Sequence, residues 1–172
     1  MSVNWDEWDE RDGIPFREGA RVILLDDDDR VLMIRGHDFG KPDRSWWFTP
    51  GGGVMPGEES RAAARRELRE ETGIAVAHLV GPVAERDAIF DFALITCRQH
   101  ELFYCGRTSS TTIDVSGHTE MEKDLLDEFT WWRAGELAQA RAAGETLYPP
   151  DMPELVSWLA RGWDGELRTL GE

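Results

Sequence analysis

The stretch TPGGGVMPGEESRAAARRELREETGI, residues 49–74, places three glycines shortly before a segment rich in charged residues. Glycine and proline in residues 51–60 predict an irregular loop. Alanine, arginine, leucine and glutamate in residues 60–72 predict a helix, and Gly73 fits the position just after the last helical turn. The stretch is therefore interpreted as a loop that leads directly into a helix.

Three glutamates of this predicted helix share one face. Glu67, Glu70 and Glu71 are spaced i, i+3 and i+4, so their carboxylates project within one turn of each other. Like charges at this spacing repel, and a divalent cation that prefers oxygen ligands would reverse the cost. The residue types alone leave a second interpretation open, a solvated acidic face paired with the arginines of the same helix.

Composition predicts one globular domain. The chain has 172 residues, of which 41% are hydrophobic and 31% charged, as in ordinary soluble proteins. It lacks an apolar run of about 18 residues, and its acidic first residues lack the apolar segment of a signal peptide. We therefore expect a cytoplasmic protein without a membrane partner. The net charge of −15 argues against nucleic-acid binding but does not exclude a small phosphorylated substrate.

The other segments alternate between strand and helix patterns. Residues 20–36 predict a hairpin around an Asp-rich turn at residues 26–29, followed by a polar loop at residues 36–45 and a short aromatic strand ending at Pro50. Residues 74–83 predict a strand, residues 88–108 two strands that turn at Arg98 and Gln99, residues 109–123 a loop, and residues 128–132 a strand. Two helices close the chain in residues 133–144 and 152–163. This order is typical of an α/β sandwich.

The opening stretch matches the Nudix box at every specified position. The matching residues are Gly52, Glu58, Arg66, Glu67, Leu68, Glu70, Glu71, Gly73 and Ile74. The preceding WFTPGG, residues 47–52, is similar to the aromatic lead-in common in that family. The chain thus resembles the Nudix hydrolases over about residues 20–143. The resemblance implies an α/β/α sandwich with a mixed β-sheet, and we expect this domain at residues 20–172, after an N-terminal segment of residues 1–19.

The resemblance also implies a set of site residues. The implied Mg²⁺ ligands, with Mn²⁺ as a second candidate ion, are Glu67, Glu70, Glu71, the backbone carbonyl of Gly52 and, in a supporting role, Glu58. Arg66 resembles the arginine that orients a box glutamate. Gly51, Gly52 and Gly53 allow close approach of the backbone to a diphosphate, and the adjacent Trp47 is a candidate contact for the attached group.

The implied reaction is hydrolysis of the pyrophosphate bond in a nucleoside diphosphate linked to another moiety, such as a nucleoside triphosphate. A metal ion would neutralise the phosphate oxygens and lower the pKa of a water, and a carboxylate would take its proton. In the family this base is either a box glutamate or a glutamate from a later loop. The later candidates here are Glu120 and Glu122.

Two other classes stay open beside the hydrolase. The resemblance also covers non-catalytic nucleotide sensors, and isopentenyl diphosphate isomerase, whose altered box and catalytic cysteine motif we do not recognise in this chain. Outside the resemblance, Trp5 and Trp8 pack either on the domain or on a partner subunit. A homodimer is therefore one of the expected arrangements.

Overall fold

Five strands precede the first α-helix, and further strands and helices follow it, in a computed structural model that describes residues 5–92 and 94–171. The strands are β1 (Asp9–Arg11), β2 (Ile14–Leu25), β3 (Val31–Asp38), β4 (Lys41–Phe48), β5 (Gly51–Gly53), β6 (Val80–Phe92), β7 (Ile95–Arg107), β8 (Leu126–Trp132), β9 (Leu147–Tyr148) and β10 (Arg168–Thr169). The helices are a 3₁₀ turn (Trp5–Glu7), α1 (Ser60–Thr72), α2 (Glu120–Leu125), α3 (Ala134–Ala142) and α4 (Met152–Leu159). None of these helices is long and apolar enough to cross a membrane.

The strands join into one mixed sheet. Its order is β10-β6-β7-β2-β3-β4-β9, while β1 and β5 pair with β2 and β8 pairs with β3. The longest parallel pair is β2 with β7, which runs from Phe16 opposite Arg98 to Leu25 opposite Arg107. The hairpin partners β2 and β3 are antiparallel, as are β6 and β7. The predicted α/β class with a mixed sheet is confirmed.

The central strand β2 is apolar on both faces of the sheet. Val22 and Leu24 pack into a core beneath α1, whereas Ile23 and Leu25 pack into a second core with α3 and α4. All four side chains are fully buried. Because neighbours along a strand point to opposite faces, this apolar run needs cover on both sides. Helices on both faces supply that cover and produce the three-layer sandwich.

Helix α1 has the bounds that the sequence predicts. Gly73 follows its last turn with a left-handed φ of 74° and donates its N–H to the carbonyl of Arg69. A Cβ at Gly73 would lie 2.7 Å from the Cβ of Asp114, so both backbone conformation and space favour glycine there. Ala63 and Leu68 are fully buried, which holds the helix against the sheet and leaves its acidic face for the site.

Several predicted loops are in fact paired strands. Residues 36–45 belong to the β3–β4 hairpin, since β3 continues to Asp38 and β4 begins at Lys41. The glycines of β5 also pair with β2. Regular pairing with a neighbour overrides local polarity and flexibility, because strand formation depends on cross-strand contacts more than on residue propensity. The predicted loop of residues 109–123 likewise ends in a helix, α2, which extends to Leu125 and begins at the capping box of Thr119 and Glu122.

The predicted strands of residues 74–108 are displaced along the sequence. Strand β6 begins at Val80, and residues 74–79 have no regular structure. Strand β7 begins at Ile95 and contains Arg98 and Gln99, so the predicted turn at those two residues is wrong. Both residues are paired in the sheet with β2 and β6. This shift determines which β7 side chains reach the site.

The described part of the N-terminal segment, from residue 5 onward, packs on the domain. Strand β2 runs through the expected boundary at residues 19 and 20, and β1 pairs with β2. The Trp8 ring lies 6.5 Å from the Phe90 ring, and the Arg17 guanidinium lies 4.6 Å from the Trp8 ring centroid. The division at residue 20 and the homodimer remain predictions.

Candidate active site

The glycine loop brings a backbone N–H to a buried carboxylate. Strand β5 pairs Gly52 with Ala20 of β2, which fixes the loop beside α1. The N–H of Gly51 donates to Oε2 of Glu71 at 2.9 Å, and Glu71 is only 5% exposed. Burial, and then the charge of Glu67, raise the pKa of Glu71 well above its ordinary value. A cation beside Glu71 would stabilise its ionised form.

Three carboxylates converge at this point. Oxygens of Glu67, Glu71 and Glu122 lie within 4.8 Å of one another. Burial also raises the pKa of Glu67. Carboxylate oxygens are the ligands that Mg²⁺ and other hard cations prefer, so these donors fit a divalent metal ion. We call Glu67, Glu71 and Glu122 the carboxylate cluster.

Gly52 lies directly against the carboxylate cluster. A Cβ built on Gly52 would be 2.6 Å from Cδ of Glu67 and 2.7 and 2.9 Å from its two carboxylate oxygens. These separations are shorter than van der Waals contact, so no side chain fits at this position unless Glu67 moves. The predicted metal contact of the Gly52 carbonyl remains a prediction.

Arg66 connects the box glutamates with the glycine loop. Its Nε and Nη2 donate to both oxygens of Glu58 at 2.9 and 3.0 Å, and Nη2 also donates to the carbonyl of Gly53. Its Nη1 donates to Glu67 at 2.6 Å and to Glu70 at 3.2 Å. This geometry suits the predicted orienting role of Arg66. Glu58 is held by this bidentate pair, which lowers its pKa, and lies outside the carboxylate cluster.

Glu70 differs from its neighbours in exposure. Its side chain is 48% exposed, whereas that of Glu67 is 13% exposed. Among the residues that the structure describes, Glu70 does not belong to the group of carboxylates close enough to share a metal ion. The structure therefore brings two of the three predicted helix ligands together with Glu122, and the role of Glu70 as a metal ligand remains a prediction.

The chain before α2 is attached to the end of α1. The N–H of Asp114 donates to the carbonyl of Thr72 at 2.8 Å. Nε2 of His118 lies 2.6 Å from the carbonyl oxygen of Glu71, so this nitrogen carries the proton that the carbonyl accepts. These bonds place α2 beside the acidic face of α1, and Glu122 joins the carboxylate cluster as a result.

The two later glutamates have different environments. Glu122 accepts the N–H of Thr119 at 2.7 Å through Oε2, as part of the capping box of α2. Glu120 is 88% exposed and pairs with Lys123 at 2.6 Å. Of the two predicted candidates for the base, Glu122 therefore lies at the cluster and Glu120 lies on the surface.

Arg21 joins the carboxylate cluster to a neighbouring cavity of about 240 Å³. Its guanidinium donates to Glu101 and, at 3.0 Å, to the carbonyl of Thr49 just before the glycines. Burial lowers the pKa of Arg21, but the charge of Glu101, followed by those of Glu71 and Glu67, outweighs burial and raises it. One guanidinium thus connects Glu101 with the end of the chain segment that leads into the glycine loop.

A buried network forms one side of the cavity. Oε1 of Glu101 accepts hydrogen bonds from Arg21 and from Gln99, and Oε2 accepts one from Arg86 at 3.5 Å. Burial alone would raise the pKa of Glu101, but Arg21 and then Arg86 hold it below its ordinary value. Burial, in contrast, lowers the pKa of Arg86. A single carboxylate therefore serves two buried guanidinium groups.

Aromatic side chains also line the cavity, but Trp47 does not. Alternation along β4 places Trp46 and Phe48 in the cavity lining. Trp47 is 4% exposed in the core, where its ring lies 5.2 Å from that of Trp132 and its Nε1 donates to Glu145. The structure does not support the predicted contact of Trp47 with substrate, because its side chain points to the other face of the strand.

The network residues were missing from the sequence-based prediction. They are Arg21, Arg86, Gln99 and Glu101, and they come from β2, β6 and β7. No short motif connects these strands. Strand β7 gives no alternating signal for Gln99 and Glu101, because Arg98, Gln99, His100 and Glu101 are four consecutive polar residues.

Comparison with known proteins identifies the family of this chain. The family model of the NUDIX domain matches residues 15–159, and the chain belongs to the Nudix hydrolase family. A relative named RNA pyrophosphohydrolase, from Caulobacter vibrioides (strain NA1000 / CB15N), is 33% identical over 159 residues, which cover 89% of this chain and 84% of the relative. The resemblance found in the box therefore extends over most of the chain.

Solved structures share the fold at lower sequence identity. The MutT protein from Methanosarcina mazei Go1 has a TM-score of 0.60 at 19% identity, covering 84% of this chain and 94% of that one. The E. coli dihydroneopterin triphosphate pyrophosphohydrolase has a TM-score of 0.58 at 22% identity, covering 81% and 95%. These likenesses establish the fold and confirm the predicted Nudix-type sandwich.

Proposed function

We propose that this protein is a Mg²⁺-dependent pyrophosphohydrolase that cleaves the P–O–P bond of a nucleoside triphosphate or a related nucleotide. The observation that carries this proposal is the convergence of Glu67, Glu71 and Glu122 within 4.8 Å beside a glycine that leaves no room for a side chain. Mn²⁺ has similar ligand preferences and is the alternative ion.

The residues of the carboxylate cluster have distinct proposed roles. Glu67 and Glu71 hold the ion, and Arg66 keeps the carboxylate of Glu67 in place through its 2.6 Å contact. A bound divalent ion neutralises phosphate oxygens and lowers the pKa of a water. Ionisation of Glu71, disfavoured by burial, accompanies binding of the ion, since metal ligands bind deprotonated.

Glu122 is the proposed general base. Its Oε2 is anchored by the N–H of Thr119, which leaves Oε1 to accept the proton of the attacking water. A base must lie within hydrogen-bond reach of that water, and Glu122 belongs to the carboxylate cluster while Glu120 pairs with Lys123 on the surface. The acceptor of the proton is thus a residue of α2 and not of the box helix.

The proposed substrate is a small nucleotide. The net charge of −15 opposes an extended grip on a polyanion, and the cavity of about 240 Å³ suits one small group. The relative from Caulobacter vibrioides is named for RNA pyrophosphohydrolysis, so 5′-triphosphorylated RNA belongs in the test panel. Faster turnover of RNA than of every free nucleotide would overturn the small-nucleotide proposal.

Release of phosphate and pyrophosphate from a nucleotide panel tests the function. We expect release with Mg²⁺ or Mn²⁺ and none with EDTA. Glu122→Gln should lower kcat by about 10²–10⁴-fold, and Glu71→Gln should remove most turnover at an unchanged circular dichroism spectrum. Glu120→Gln is the matched control on the same helix and should hydrolyse normally. Nucleotide binding without release would indicate a sensor, and normal turnover by both Glu71→Gln and Glu122→Gln would contradict the proposed site.

A further inference from the structure

Arg86 is a buried cation with few partners. It is 7% exposed and lines the cavity. Among the described residues its hydrogen bonding consists of one long contact, 3.5 Å from Nη1 to Glu101, and its Nε has no partner. A guanidinium offers five N–H donors, and buried donors without acceptors are costly. Most of the hydrogen-bonding capacity of Arg86 is therefore unused within the protein.

The charge around Arg86 is also incompletely balanced. Glu101 has its closer contact with Arg21, and the charge of Arg21 opposes that of Arg86. Asp151 is the other acidic residue whose charge reaches Arg86, but in the described chain it forms no ion pair with it. Glu101 is shared between two buried guanidinium groups, and at 3.5 Å from Arg86 it balances the charge of Arg86 only in part. An anionic ligand would balance it.

The position of Arg86 relative to the carboxylate cluster indicates which anionic group the ligand presents to Arg86. Arg21 donates to Glu101 and to the carbonyl of Thr49, two residues before Gly51, whose N–H binds Glu71. Arg86 contacts Glu101 from the cavity wall. A substrate whose anhydride lies at the carboxylate cluster would extend past Arg21 toward Arg86. In that arrangement the nucleoside monophosphate half would enter the cavity.

We propose that Arg86 binds an anionic phosphate oxygen of the nucleoside monophosphate half of the substrate and thereby selects phosphorylated nucleosides. This role rests on the proposed function. The guanidinium is held for this contact by the ring of Tyr148, whose centroid lies 5.2 Å from Cζ of Arg86. Arginine suits the role because its planar fork matches phosphate oxygens and its charge persists on burial.

Arg61 provides a matched control. Its Nε is also buried without a partner, and its Cζ lies 5.5 Å from the ring of Tyr104. It donates to the carbonyl of Gly81 at 2.8 Å and does not line the cavity. A variant at Arg61 therefore reproduces the loss of a partly buried guanidinium over a tyrosine, without the proposed phosphate contact.

Isothermal titration in EDTA, with nucleoside 5′-monophosphates and the corresponding nucleosides as probes, isolates the contact from the metal site. The wild type should bind the monophosphates about tenfold to hundredfold more tightly than the nucleosides, as expected for one hydrogen bond to a charged group. Arg86→Gln should abolish this preference, Arg86→Lys should retain part of it, and Arg61→Gln should retain all of it. A preference that survives in Arg86→Gln would overturn the proposal.

An NMR titration of the wild type covers the case in which Arg86→Gln does not fold. The Nε–H NMR signal of Arg86, assigned from its loss in Arg86→Lys, should shift with a monophosphate and not with a nucleoside. An unmoved signal at saturating monophosphate rules the contact out. Metal-dependent release of pyrophosphate is measured separately. If the protein releases pyrophosphate but binds monophosphates no more tightly than nucleosides, only the role of Arg86 is wrong. If it prefers monophosphates but releases no pyrophosphate, only the proposed function is wrong.

Discussion

Replacing Gly52 by alanine should disable the site while leaving the fold intact. The added Cβ would lie 2.6 Å from Cδ of Glu67. The backbone of Gly52 is not left-handed, in contrast to that of Gly73, so alanine adopts its conformation without strain. The substitution therefore acts through space alone, and the group that must move is the carboxylate of Glu67.

The size of the effect follows from the distances. The Glu67 carboxylate must retreat by about 0.8 Å to reach an ordinary contact of 3.4 Å with the new Cβ. It is the end of a flexible side chain, so the free energy of unfolding should change by less than about 1 kcal/mol. A displacement of about 1 Å in a catalytic constellation costs about 100-fold in rate, or about 2.7 kcal/mol.

The assay is kcat/KM for pyrophosphate release, measured across a Mg²⁺ titration. Gly52→Ala should lower kcat/KM by about 100-fold and should raise the Mg²⁺ concentration for half-maximal activity. Gly135→Ala is the control, because a Cβ at Gly135 meets nothing within 4 Å. Gly135 lies in α3, and alanine there should leave activity unchanged and stability equal or slightly higher.

A double-mutant cycle tests whether the loss acts through Glu67. In a Glu67→Gln background, Gly52→Ala should add little further loss, because the two substitutions disturb the same carboxylate. Additive losses would contradict this coupling. Activity of Gly52→Ala close to that of the wild type would refute the close approach of the glycine loop to the carboxylate cluster.

Three further predictions concern stability and the cavity. Asp26→Asn should lower the free energy of unfolding by about 1–3 kcal/mol at pH 7, because Asp26 accepts hydrogen bonds from Arg30 that lower its pKa although burial opposes this. The stability that a lowered pKa contributes is present above the unfolded pKa of about 3.9 and is lost as pH falls through the folded pKa. In urea denaturation, the advantage of the wild type over the variant should therefore shrink below about pH 4. Trp47→Ala should cost about 3–5 kcal/mol, measured in the same way, and an unchanged midpoint would contradict its core position. Trp46→Ala should instead raise KM about fivefold or more, measured by steady-state kinetics, with stability nearly unchanged; an unaltered KM would remove Trp46 from the substrate contacts.

The sequence by itself determined the elements whose causes are local. The helix of residues 60–72 follows from helix propensity and from Gly73 as its C-cap, both of which act within a few residues. The spacing of Glu67 and Glu71 on that helix is equally local, since it depends only on helical periodicity. The same holds for the turn of residues 26–29, where Asp26 accepts the N–H groups of Asp28 and Arg30.

Only the tertiary structure decided which groups meet at the site. Glu122 joins the carboxylate cluster because the loop before α2 binds the end of α1, while Glu70 on the same helix face remains half-exposed. Arg86 and Glu101 meet because β6 and β7 pair in a register that a turn at Arg98 and Gln99 would not produce. A change of one residue in register moves every side chain to the opposite face of a sheet. Strand β7 also pairs with β2, about 80 residues earlier in the chain, and local sequence does not specify a pairing over that distance.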